Sequence, residues 1–217
     1  MKMKNRILPI LAVLSISITL LAGCTKKIDS EDAISSYINA YIYSDETDTL
    51  QKAFAEKETD LAKEDKENFT SSLKEQFKLG DDYDPKLDEL YQIYQTNLKK
   101  NTKFSTKILH EKSDKATVEV TVSGLKELNL DNLEEEISKK IAANPDLINE
   151  DLSEEDAQKV INQLAFDIYS EKIKANTETK EPVKLSISLK ENPNDNNAWV
   201  IQNENDIFKE LSDAFGV

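Results

Sequence analysis

The chain has 217 residues, 42 of them acidic and 28 basic, for a net charge of −14 with 32% of positions charged. So acidic a composition excludes a nucleic-acid binder, which needs a basic patch to neutralise phosphate, and argues against lying flat on anionic lipid. A single cysteine excludes an internal disulfide, and Arg6 is the only arginine, so the body of the chain has no guanidinium for a bidentate grip on phosphate or carboxylate.

Lys2, Lys4 and Arg6 precede an apolar run from Ile7 to Leu21, which closes in Leu21-Ala22-Gly23-Cys24. A basic start, a short apolar stretch and small residues before a cut form a secretory signal peptide. The run falls short of the roughly 20 residues a membrane-spanning helix needs, and Pro9 weakens it further as a helix. Leu21, Ala22, Gly23 and Cys24 resemble the lipobox of bacterial lipoproteins. That resemblance implies cleavage before Cys24 and a diacylglycerol on its thiol. Two acyl chains hold far more firmly than one, because each buried methylene contributes about 0.8 kcal/mol. The expected organisation is a leader over 1–23, a lipidated Cys24 with a tether over 24–29, and one domain over 30–217. The expected location is the outer face of the cytoplasmic membrane, anchored to its lipid, and the Lys-rich, Arg-poor usage suits a Gram-positive cell.

Six tether residues reach at most roughly 20 Å, so the domain is held close to the bilayer. Ser30 is the expected cap of a first helix whose stripe is Ile34, Tyr37, Ile38, Tyr41 and Ile42. A second helix is expected from about Asp48, with Leu50 and Phe54 on one side. A third, within 59–79, carries Phe69, Leu73 and Phe77, and Gly80 stops it. Pro85 opens a fourth, with Leu87, Leu90, Tyr91, Tyr94 and Leu98 facing inward. The period then drops to two: Phe104, Thr106 and Ile108 share a face, Ser113-Asp114-Lys115 turns the chain, and Val118, Val120 and Val122 alternate with Thr117, Glu119 and Thr121.

Beyond Gly124 two more helices are expected. One carries Leu130, Leu133, Ile137 and Ile141; the other is capped by Ser153 and carries Ala157, Val160, Ile161, Leu164 and Ile168. Val183, Leu185, Ile187 and Leu189 form the next strand, the run from Asn192 to Asn197 is its turn, and Ala198 to Gln202 returns with Trp199 and Ile201 on one face. Asn205 is the expected cap of a last helix holding Ile207, Phe208, Leu211 and Phe215. Tight turns make both hairpins antiparallel. The fold class is therefore α+β: a four-stranded antiparallel sheet from two hairpins, packed with helices.

The order of lipobox, helices, T-V-E-V-T-V-S-G, helical insert, V-K-L-S-I-S-L-K, polar turn and A-W-V-I resembles the Gram-positive lipoproteins grouped as DUF5105. More loosely, it is similar to NTF2-like and cystatin-like domains, in which a helix packs into an antiparallel sheet and the last strand carries a Trp-x-Ile/Val pattern, matched here by Trp199 and Ile201.

The residues assemble no catalytic set. His110 is the single histidine and sits at a strand end beside Glu111. Asp81, Asp82 and Asp84 could offer oxygen to Ca²⁺ but lack the EF-hand spacing. Glu134 to Glu136 and Glu154 to Asp156 fall in first helical turns, where negative charge suits the helix dipole. The glycines are scattered, so no phosphate-cradling loop is present. No cofactor and no metal are expected, and the expected role is a non-enzymatic binding or accessory module. Its partner would be a membrane protein, cell-wall material or a small apolar ligand held between helix and sheet. Trp199, Tyr37 and Tyr41 are the candidate lining of such a pocket, although their spacing also suits a core. The released leader, Ile16 to Gly23, resembles lipoprotein-derived conjugation pheromones and could itself signal.

Overall fold

A computed structural model describes residues 27–45, 48–55, 61–148 and 152–217. Leu21, Ala22, Gly23 and Cys24 lie outside the described residues. Helices α1 (Ser30–Tyr41), α2 (Asp48–Phe54), α3 (Leu61–Phe77) and α4 (Asp84–Asn101) come first. Strands β1 (Lys103–Glu111) and β2 (Lys115–Ser123) follow, then α5 (Leu133–Ala143) and α6 (Glu154–Ala175). Strands β3 (Val183–Asn192) and β4 (Asp195–Ile201) and helix α7 (Glu204–Phe215) complete the chain. The α+β class read from the sequence is the one observed.

The strands lie in chain order, β1-β2-β3-β4, each antiparallel to its neighbour. The two hairpins become one sheet because β2 pairs with β3 along its length, Val118 opposite Ile187 and Ala116 opposite Leu189. That contact spans the whole α5–α6 excursion. The strand alternation explains it: Ala116, Val118, Val120 and Val122 are all buried, so they require apolar cover on one face. Helices α1, α2 and α7 supply it. Ile34, Tyr37, Ile38, Leu50, Phe54, Leu211 and Phe215 join the strand residues, Trp199 among them, in the larger core.

A second, smaller core sits among helices. Leu73, Phe77, Tyr83, Leu87, Leu90, Phe166 and Ile173 fill it. Helix α4 links the two, with Leu87 and Leu90 in the helical core, Leu98 in the sheet core, and the half-buried Tyr94 touching both. Its ordered neighbours are α3 and α6 rather than the sheet. The helical lobe therefore extends from the Lys103 end of β1, away from the turn at 112–114.

The turn region after β2 is tied down by backbone bonds. Leu125 N–H donates to Phe215 O at 2.8 Å, Lys126 N–H to Glu178 O at 2.9 Å, and Lys180 N–H to Gly124 O at 2.9 Å. Gly124 must be glycine here: a Cβ would lie 2.1 Å from Ala214 O. Gly216 ends α7 at φ 78°, the left-handed conformation that favours glycine after a helix.

Several local expectations are corrected. Ser30 begins α1 but caps nothing; the cap position is Asp29, and the Ser30 hydroxyl donates instead to Glu111. The last helix starts earlier than expected, with Asn203 rather than Asn205 at its cap position, in left-handed conformation with φ 55°. Helix α5 begins at Leu133 and buries none of its residues. In α6 the buried positions are Phe166, Ile168 and Ile173, so the expected stripe is shifted toward the C-terminal half. In the first half of α6, Ala157, Val160, Ile161 and Leu164 are half-buried.

Candidate functional site

Two places gather chemistry: the point where the N-terminal segment meets the sheet, and a cavity between the two cores.

At the first, Lys27 lies between the two hairpins. Its ammonium donates to Ser113 O at 2.9 Å and to Glu191 Oε2 at 2.8 Å, and stands 4.3 Å from the Trp199 ring centroid. A cation over an indole face is held by the ring quadrupole as well as by its ion pair. Trp199 then turns its Nε1–H to Ile28 O at 2.7 Å. Two residues on, the Ser30 hydroxyl and backbone N–H both donate to Glu111 Oε2. Residues 27–30 are thus fixed by both hairpins. Trp199 itself is 2% exposed and, with Lys27, borders a shallow groove of about 440 Å³.

Tyr37 and Tyr41 do not face that groove. Tyr37 is 2% exposed, its ring 4.5 Å from that of Tyr41 and 5.8 Å from that of Phe54. Tyr41 reaches outward to Phe208. The three aromatic residues singled out from the sequence belong to the sheet core, and Trp199 alone borders an opening.

The second place is a cavity of about 230 Å³ walled by Phe69, Tyr94, Leu125, Leu128, Tyr169 and Ile173, with Gly216 and Val217 at its edge. Helices α3, α4 and α6 contribute the aromatic walls, and the tied loop after β2 supplies the leucines. Phe69 and Tyr94 stack at 5.1 Å. Burial pushes the Tyr94 phenol well above its ordinary value, helped by the Asp65 charge, and burial does the same to Tyr169. Both stay protonated and can donate. The sequence hid this site because its walls come from four separate segments, each of which reads as ordinary core.

Behind the cavity lies a polar knot. Asp65 Oδ2 accepts from Ser44 Oγ at 2.7 Å, Tyr91 OH at 2.8 Å and Gln95 Nε2 at 2.9 Å. Burial, with the Asp65 charge adding to it, pushes the Tyr91 phenol up to about 12. The amide oxygen of Gln95 is buried without a partner. This knot ties α3, α4 and the segment after α1 together.

The other sequence candidates separate. His110 is exposed on edge strand β1. Lys74 sits in the aspartate cluster, 2.9 Å from Asp81 and 2.5 Å from Asp84, and its hydrogen bond and charge hold the Asp81 carboxyl below its usual range. Glu136 pairs with Lys172 at 2.8 Å, and Ser153 caps α6 by accepting from Asp156 N–H at 3.1 Å. Among the described residues no group of three or more His, Cys, Asp or Glu is placed to hold a metal ion, and no helix is long and apolar enough to cross a membrane.

The fold and its docked N-terminal segment define a class, an α+β domain of four antiparallel strands with a helical insertion. Within that class the particular family is clear: the profile described as a domain of unknown function, DUF5105, matches residues 20–216, and the chain belongs to that family. No curated protein sequence matches it. It is similar in fold to the crystal structure of YcdA from Bacillus subtilis, a protein described as a lipoprotein, with a TM-score of 0.58 at 19% identity. The likeness covers 86% of this chain and 55% of YcdA, so the chain spans little more than half the length of that relative.

Proposed function

We propose that the protein is an extracytoplasmic lipoprotein, held to the outer face of the cytoplasmic membrane by a diacylglycerol on Cys24, and that it acts as a non-enzymatic binding or accessory module. The observation that carries this reading is the juxtaposition of Leu21-Ala22-Gly23-Cys24 with Lys27, which both hairpins grip only three residues later. The fold kinship with YcdA, itself described as a lipoprotein, supports it. The non-enzymatic part rests on composition: one histidine, no thiol left once Cys24 is acylated, and no glycine-rich loop. Cys24→Ala should move the protein from the membrane fraction to the soluble one, and mass spectrometry of the wild type should find an acylated cysteine as its first residue. An intact leader on a soluble polypeptide would refute the reading. A membrane-protein or cell-wall partner should be recovered with the acylated protein from solubilised membranes at low salt; recovery of none counts against the accessory role.

A second reading is carriage of a small apolar ligand, favoured by the cavity between the cores rather than by Trp199, Tyr37 and Tyr41. A cavity of about 230 Å³ takes a compact ligand against its largely apolar and aromatic walls, with Asn97 and Asn176 as polar residues in its lining. An anilinonaphthalene probe should brighten on binding, and Phe69→Trp, which fills the space, should abolish the signal.

A further inference from the structure

The grip on Lys27 does more than end the tether; it sets how the domain stands. Resting on the reading that Cys24 is acylated, we propose that the turn end of the sheet is the bilayer-facing pole of this protein. The helical lobe, with the Tyr94 cavity, then points away from the membrane.

The argument is one of reach. Three peptide units separate Cys24 from Lys27, which limits their separation to roughly 11 Å even fully extended. Lys27 in turn touches Ser113 O of the first turn and Glu191 near the second. Trp199 holds Ile28, and Glu111 holds Ser30, so the segment cannot swing free as a unit without breaking five hydrogen bonds and the cation–π contact. Adding the Lys27 side chain and its hydrogen bonds to that reach, both hairpin turns lie within roughly 20 Å of Cys24. A long tether would allow the domain any orientation; this one does not.

The surface at that pole fits a lipid interface. Strand β1 is an edge strand, and its register shifts between Ile108 and His110, leaving Leu109 as the bulged residue. Leu109 is 51% exposed, the most exposed of the large apolar side chains among the described residues. Lys112, Lys115 and Lys190 are exposed at the same end. The acidic groups there are Glu111, Asp114, Glu191 and Asp195; Lys27 pairs with Glu191 and Ser30 donates to Glu111, while Asp114 and Asp195 are exposed beside the lysines. An apolar tip between lysines is what a head-group boundary accommodates, the apolar part entering and the ammonium groups remaining wet.

The test uses the full acylated protein in vesicles containing phosphatidylglycerol. An acylated Cys24 is a thioether and takes no thiol label, so single cysteines can be introduced at Leu109→Cys, Asn194→Cys and, in the helical lobe, Gln163→Cys, each labelled with an environment-sensitive fluorophore. Head-group spin-labelled lipid should quench positions 109 and 194 several-fold more than position 163, with a blue shift at 109. Equal or reversed quenching in protein that floats with the vesicles and carries one label would overturn the orientation while leaving the anchor intact. Protein that takes a second label at Cys24 and fails to float would overturn the anchor, and the orientation with it.

Discussion

Trp199 is buried in the sheet core, yet its two outward features define the N-terminal attachment: a ring face under Lys27 and an N–H that donates to Ile28 O. Trp199→Phe keeps most of the apolar surface, removes the N–H donor and weakens the cation–π contact, since indole is the better ring for it. It should destabilise the fold by about 1–3 kcal/mol, since a half-buried carbonyl loses its donor, as read from urea unfolding. Gly124 makes the opposite kind of statement, that nothing else fits. A Cβ there would sit 2.6 Å from Phe215 Cα as well as against Ala214 O, and both are backbone atoms that cannot step aside. Gly124→Ala should cost at least the roughly 1–3 kcal/mol of an overpacked site, measured the same way. The sequence announced neither role: Lys27 lies in no motif, and Gly124 reads as an ordinary strand end.

Among the elements, periodicity was a good guide wherever one side of a segment packs on a large core. The stripes of α1, α3 and α4 and the alternation of β2 appear where the spacing places them, while in β3 Ile187 and Leu189 are buried, Leu185 is half-buried and Val183, at the strand's start, is exposed. Caps were a poorer guide, because Ser30 found a better acceptor in Glu111, 81 positions away in the chain. Helix α5 shows what happens where the stripe lacks a partner. It buries no residue and meets α6 through ion pairs, Glu136 with Lys172 at 2.8 Å and Lys140 with Glu171 at 3.1 Å. Such partly exposed pairs are screened by salt. Amide exchange in α5 should therefore be faster than in α1, α4 or α6, and faster again at high ionic strength; equal protection across these helices would contradict the assignment.

At the scale of the whole molecule, both cores are rich in tyrosines whose phenols burial raises: Tyr43 beside the sheet, and Tyr83, Tyr91, Tyr94 and Tyr169 in or near the helical lobe. The unfolded chain loses these protons near pH 10, its ordinary phenol value, while the folded Tyr91 keeps its own up to about 12. The contribution is fully present below pH 10 and is lost as pH rises toward 12, because there the unfolded state binds fewer protons than the folded one. The urea midpoint should fall across that window, and Tyr91→Phe should flatten the fall. A midpoint independent of pH there would show that these phenols are solvated.

What the chain determined by itself was everything local or compositional. The Leu21-Ala22-Gly23-Cys24 motif behind its apolar run, the acidic composition, the helices and hairpins and the α+β class follow from neighbours in sequence, because periodicity and turn chemistry act over a few residues. Only the tertiary structure decided which faces meet. It joined β2 to β3 across the long helical excursion, buried Tyr37 in a core and left Trp199 at the edge of a groove, opened a cavity between Phe69, Tyr94 and Tyr169, and seated Lys27 between two turns more than 80 residues distant. Those pairings depend on the burial of apolar faces against partners remote in the chain, and no spacing rule encodes which partner that will be.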